Sequence, residues 1–253
     1  MRRLIPAGLA VVMALALSTP AGAITNGVPD ANAHPFVGAL LAPFPYSDGT
    51  WETCTGTLIS PTVFLTAAHC DQGISRVAVT FDQSYDAQTG TSYWGTWHAD
   101  PNYTWKQNNP QDVAVVVLDE PVIGITPARL PTAGSLNGLR GMRFTSVGYG
   151  AQSVTIDKGP VFHYADVRYV ATGGLHAVNK SWLRISMNPA LGDGGTCYGD
   201  SGGPNFLGAG SGETNIVAAT TITGDAMCRA TNVDYRMDTP SARAFLGQYV
   251  TLP

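Results

Sequence analysis

Apolar residues in this 253-residue chain fall into short runs divided by glycine, proline and small polar residues. Runs at 57–59, 63–66, 76–81, 113–118, 144–147, 161–170 and 215–222 have strand length, some alternating apolar with polar and some apolar throughout. Alternation predicts a strand buried on one face; an unbroken run predicts one covered on both. Strands at this spacing, with turn residues between them, predict an all-β sandwich or barrel. A single short helix is expected at the far end, in DTPSARAFLGQYV. There Thr239 suits the N-cap, Pro240 the first helical position, and Phe245, Leu246 and Tyr249 share a face. The stretch 128–141, ARLPTAGSLNGLRG, reads as a connector between two packed units.

The first 23 residues carry a different pattern. Arg2 and Arg3 precede an apolar run over 4–17, and Ala21-Gly22-Ala23 places small residues at both positions a signal peptidase reads. The run is shorter than the roughly 20 residues of a spanning helix and is interrupted by Pro6 and Gly8. Residues 1–23 therefore read as a cleaved signal peptide, with the product secreted to the extracellular space and no membrane association after cleavage. Of the 14 basic side chains two lie in this leader, and 18 acidic ones oppose the rest, which leaves no footprint for nucleic acid. Four cysteines in a secreted chain predict two disulfides. Zinc is the rival use, but Cys54, Cys70, Cys197 and Cys228 contain no C-x-x-C pair and are too dispersed for a compact ligand set. No metal and no cofactor is expected.

Three stretches carry candidate chemistry. In CYGDSGGP, 197–204, Ser201 is flanked by glycines at 199, 202 and 203. A serine hydroxyl is a weak nucleophile that needs a base and donors aimed at the developing oxyanion, and glycines allow the tight positive-φ turns that point consecutive N–H groups at one spot. LTAAHC, 65–70, sets His69 just after an apolar strand and beside Cys70, which can bridge to Cys54 and pin the histidine loop. In NNPQDVAVVVL, 108–118, Asp112 stands at the mouth of a run that reads as buried, where a carboxylate could fix a histidine tautomer. Taken singly, each has a bland reading: a polar turn, a structural histidine, a turn aspartate.

Together they resemble the chymotrypsin/trypsin-like serine proteases, in the order His, Asp, Ser. ITNG (24–27) resembles that family's mature amino terminus. GTLISPTVFLTAAHC (56–70) is similar to its histidine segment, DVAVVVL (112–118) to its aspartate segment, SVGYG (146–150) to an early motif of its second barrel, and GDSGGP (199–204) to its nucleophile loop. The resemblance covers almost all of the chain after the leader. It implies two antiparallel six-stranded β-barrels, an N-terminal one over 24–131 and a C-terminal one over 132–253 that ends in the helix. It implies His69 as general base and acid, Asp112 as its orienting partner, Ser201 as nucleophile, and the N–H groups of Gly199 and Ser201 as the oxyanion hole. It pairs Cys54 with Cys70 and Cys197 with Cys228. The implied activity is endopeptidase action on protein or peptide substrates by a monomer.

The resemblance also gives Ile24 a meaning. In this family a freed Ile ammonium pairs with the aspartate before the nucleophile, here Asp200, and orders the oxyanion loop. A signal peptidase cutting after Ala23 would free Ile24 directly, so export itself would activate the enzyme. Thr25 and Asn26 depart from the usual Val and Gly. The trypsin-like pocket-floor aspartate is replaced by Gly195, followed by Thr196. On the wall at 221–228, Gly224 resembles an open-wall glycine and Thr223 stands where Trp is usual. An apolar or aromatic preference is expected, although Asp225 and Asp234 lie where a negative charge could re-enter. The alternatives are an ester-preferring acyl hydrolase with the same triad and a non-catalytic, protease-like binding module. An α/β-hydrolase is disfavoured because Ser201 is followed by Gly-Gly-Pro and His69 comes first.

Overall fold

The computed structural model describes residues 24–105 and 108–253; the expected leader, residues 1–23, lies outside the described residues. A short strand β1 (Val28–Pro29) is followed by β2 (Val37–Leu41), β3 (Glu52–Ser60), β4 (Val63–Thr66), β5 (Arg76–Thr80), β6 (Tyr93–Ala99) and β7 (Ala114–Leu118). Strands β2 to β7 close into an antiparallel barrel in the order β2-β3-β4-β7-β6-β5, with β5 returning to β2. The second half contains β8 (Arg143–Gly148), the hairpin β9 (Ser153–Ile156) and β10 (Pro160–His163), then β11 (Tyr169–Val178), β12 (Trp182–Ser186), β13 (Pro204–Leu207), β14 (Val217–Gly224) and β15 (Thr231–Arg236). Six of these form a second closed barrel, β8-β11-β12-β15-β14-β13 and back to β8, and β1 adds to the edge of β11.

The unbroken apolar runs are explained by what lies on each side of the first barrel. Leu40, Leu58, Phe64, Val79 and Val116 point into its own core. Their neighbours Ala39, Ile59, Leu65 and Val115 join a second core shared with Val147, Phe206, Val217 and Tyr235 of the other barrel. Successive side chains of a strand take opposite faces, and here both faces are dry. The inter-barrel core therefore holds the two halves in a fixed relation, which the site between them requires.

The terminal helix α1 (Pro240–Leu246) forms as expected. Thr239 caps it by accepting the N–H of Ala242, Pro240 opens it, and Phe245 and Leu246 are buried with Tyr249 packed beside them. One strand expectation is corrected: the run 161–170 is not continuous. β10 stops at His163 and β11 starts at Tyr169, because Asp166 between them turns with φ +48° and its carboxylate accepts the N–H groups of Trp51 and Glu52.

Candidate active site

β4 delivers the chain through Ala67 into a single 3-10 turn, Ala68–Cys70, that carries His69. The disulfide Cys54–Cys70 ties this turn to β3, and Cys197–Cys228 ties the serine loop to the segment after β14. Both sulfurs beside His69 are used in that bond, so the Cys54, His69, Cys70 cluster has no thiolates to offer a metal. Asp112 comes from the other side. Gln111 before it adopts φ +49°, an uncommon conformation for a non-glycine residue, and the turn buries Asp112 at the mouth of β7.

Asp112 grips the histidine twice. Its Oδ1 accepts the backbone N–H of His69 at 3.0 Å, and its Oδ2 lies 2.7 Å from His69 Nδ1. A carboxylate accepts, so Nδ1 carries the proton and Nε2 is left as an acceptor. His69 and Ser201 line one cavity of about 270 Å3, with Trp105 5.8 Å from the imidazole at its rim. No hydrogen bond joins their two side chains, a contact that in unliganded hydrolases often tightens only when substrate binds.

The serine loop owes its shape to glycine. Gly199 has φ +95° and Gly202 φ +76°, and a Cβ on Gly202 would collide with Thr66 Oγ1. The N–H groups of Asp200, Gly202 and Gly203 donate to carbonyls of Cys197, Thr221 and Asp200. Those of Gly199 and Ser201 have no acceptor among the described residues. The loop thus carries two unengaged backbone donors, one on the serine itself and one two residues before it, of the kind that can receive an anionic oxygen.

Asp200 is fully buried. Its Oδ1 accepts from Gly150 N–H and its Oδ2 from Cys197 N–H, yet burial outweighs both bonds and pushes its carboxyl up to about 7. Ile24 is fully buried too, with φ +59°, a strained conformation for a β-branched residue. Thr25 bridges to Gly195, and its hydroxyl donates to Cys228 O at 2.6 Å. Asn26 has φ +57°, which asparagine tolerates far better than most residues. The two departures from the usual Val and Gly therefore each have a local physical fit.

Of the expected pocket residues, Thr196 and Gly224 line the cavity; Gly195 instead pairs with Thr25 and packs against Met187. Asp225 also lines it, but its carboxylate accepts the N–H groups of Arg229, Ala230 and Thr231. Burial works against its charge, but these backbone bonds prevail and hold its carboxyl below the usual range. Asp234 lies beneath the wall, fully buried, bonded to Asn205 and Thr221, and burial holds it well above the ordinary carboxylate range. Asp234 is thus sealed beneath the wall, whereas Asp225 lines the cavity as a carboxylate bonded to backbone N–H groups.

Sequence reasoning missed Glu52. This first residue of β3 is buried, its Oε1 has no hydrogen-bond partner, and its carboxyl packs against Gly199. Nothing in WETC separates such an acid from an ordinary strand-end residue.

Known proteins share this architecture. The solved atomic-resolution structure of HBP superposes with a TM-score of 0.65 at 18% identity, over 92% of this chain and 96% of that one, which speaks to the fold alone. Serine protease 1 of Drosophila melanogaster is 27% identical over 83% of this chain and 78% of its own. Snake venom serine proteinase 14 of Crotalus adamanteus is 31% identical over 60% of this chain, a match that spans 61% of the venom protein's length. The family model described as Trypsin matches residues 27–244, and with both barrels in place the chain belongs to the trypsin family.

Proposed function

We propose that this chain is a secreted serine endopeptidase that cleaves protein and peptide substrates through Ser201, His69 and Asp112. One observation carries the reading: a histidine whose Nδ1 is committed to a buried aspartate lines the same cavity as a serine whose loop carries two unengaged N–H groups. In the reaction, Ser201 Oγ attacks the scissile carbonyl carbon while His69 Nε2 takes its proton. The carbonyl oxygen becomes negative and is received by the N–H groups of Gly199 and Ser201. As the C–N bond breaks, His69 returns the proton to the leaving amine and an acyl ester remains on Ser201. Water then repeats the sequence with His69 as base and frees the acid. Asp112 holds the tautomer and stabilises the imidazolium.

Activation follows from Ile24 and Asp200. A buried carboxyl at about 7 is poorly placed until a cation reaches it. Cleavage after Ala23 supplies an ammonium and abolishes the φ constraint at Ile24, since that dihedral depends on the bond to the preceding residue. The cavity wall of Thr196, Thr221, Ile222 and Gly224 suits an apolar or aromatic side chain, with no aspartate at position 195 to select Lys or Arg from the pocket floor. The test is hydrolysis of casein beside a p-nitrophenyl ester series, using the secreted form and its S201A variant. Cleavage of both substrates, lost in S201A, is expected. Ester hydrolysis alone would make the protein an esterase, and inertness towards both a binding module.

A further inference from the structure

A buried carboxyl without a partner costs free energy, and such groups persist where a site needs them. Glu52 is the case here. It is 5% exposed, its Oε1 is sealed without a hydrogen bond, and burial together with the charges of Asp200 and Asp166 pushes its carboxyl well above the ordinary range. The phenol of Tyr164 also feels this group, so Asp200, Asp166 and Tyr164 are its titratable surroundings, none of them cationic.

Its position is specific. A Cβ built on Gly199 would stand 2.8 Å from Glu52 Oε2 and 3.3 Å from Oε1, so the carboxyl fills the place a side chain would take. On the same strand, Thr55 Oγ1 donates to the carbonyl of Gly199 at 3.1 Å and accepts the N–H of Tyr149. Gly199 is thus held by its carbonyl and backed at its Cα, both from β3 of the first barrel, while its N–H has no acceptor among the described residues. With φ +95° the residue has no steric preference of its own to keep that peptide turned.

We propose that Glu52 is a positioning residue whose carboxyl, packed behind Gly199, sets the orientation of the Gly199 N–H and so the strength of the oxyanion hole. The proposal rests on the reading of Ser201 as nucleophile. Since an oxyanion donor acts on the transition state more than on bound substrate, loss of its alignment lowers kcat and leaves KM nearly unchanged.

The test uses the secreted enzyme, with active sites counted by stoichiometric fluorophosphonate titration so that kcat refers to folded molecules. E52A is expected to lower kcat about tenfold or more with KM within about threefold, a fraction of the loss from removing a donor outright. E52Q, which keeps the side chain's shape behind Gly199, is expected to hold kcat within about twofold of the parent. If E52A is not secreted, E52D, whose head group is withdrawn by one methylene, takes its place with the same expected direction. Parental kcat in E52A or E52D, or an E52Q loss as deep as that of E52A, overturns the proposal. Failure of the parent enzyme itself to titrate would instead overturn the assignment of Ser201.

Discussion

Gly199 makes an exacting demand at the serine loop. Its φ of +95° is open to glycine alone at low cost, and the space beyond its Cα is taken by Glu52 and Gly150. G199A is expected to reduce kcat by about 100-fold or more, read on titrated active sites, because the peptide must rotate and its N–H leaves the hole. D112N is expected to cost about 10⁴ in kcat with little change in KM, since an amide can donate to Nδ1 and reverse the tautomer that the 2.7 Å contact now fixes. Unchanged kcat in D112N would remove Asp112 from the mechanism. At this scale the sequence was informative where chemistry and neighbours coincide: His69 beside Cys70, Asp112 before an apolar run, and Ser201 among glycines. Glu52 was illegible because its importance lies in a contact with a residue nearly 150 positions away.

At the level of elements, the N-terminal segment is fastened by a buried ionic cluster that crosses from one barrel to the other. His34 sits between Asp30 and Glu213, with Nε2 2.7 Å from Glu213, and Asp30 also accepts from Arg168 Nε at 2.9 Å. Burial favours the neutral imidazole, but the hydrogen bonds to Asp30 and Glu213 prevail and raise His34 from 6.5 to about 9. A folded pKa above the unfolded one stabilises fully below pH 6.5 and is lost as pH rises through about 9. Melting temperature should therefore fall across that interval, by a contribution on the order of 3 kcal/mol, and H34Q should flatten the fall. An H34Q curve parallel to the parent's would show that His34 does not carry it. Asp30 and Glu213 are held below their usual range despite burial, so their contribution is lost in acid instead. The fully buried Arg168 also donates to the carbonyls of Val37 and Phe81. R168A should cost about 3–5 kcal/mol, measured by denaturant unfolding, because Asp30 loses its guanidinium partner. The cluster explains why 161–170 misled as one strand. Periodicity cannot see that Asp166 turns back to β3 or that Arg168 must reach Asp30. The helix was legible because its cap, proline and apolar face are all local.

Across the whole molecule, two barrels share a core and place a histidine–aspartate pair from one against a serine loop from the other. The all-β class was legible from strand-length apolar runs, and the two six-stranded barrels from the family resemblance that the ordered motifs carry; the same motifs name the residues proposed for catalysis. Residues of the expected wall at 221–228 do line the cavity; what the sequence could not show is that Gly195 pairs with Thr25 and that the Asp225 carboxylate is bonded to the backbone at 229–231, both set by loop contacts. The proposed activation belongs to this scale as well. Amino-terminal sequencing should find Ile24 first in the active secreted form, and an active species with any other first residue defeats that proposal. Activity should fall in alkali as the ammonium, with an unperturbed pKa near 8 that Asp200 raises, loses its proton. The central claim is that the hydroxyl at 201 is the group made reactive by His69. Mass-spectrometric mapping of a fluorophosphonate adduct on the secreted protein tests it most directly. The account predicts one adduct per chain, on Ser201, formed far more slowly in H69A and absent from S201A; an adduct on another residue, or labelling in H69A as fast as in the parent, would contradict it.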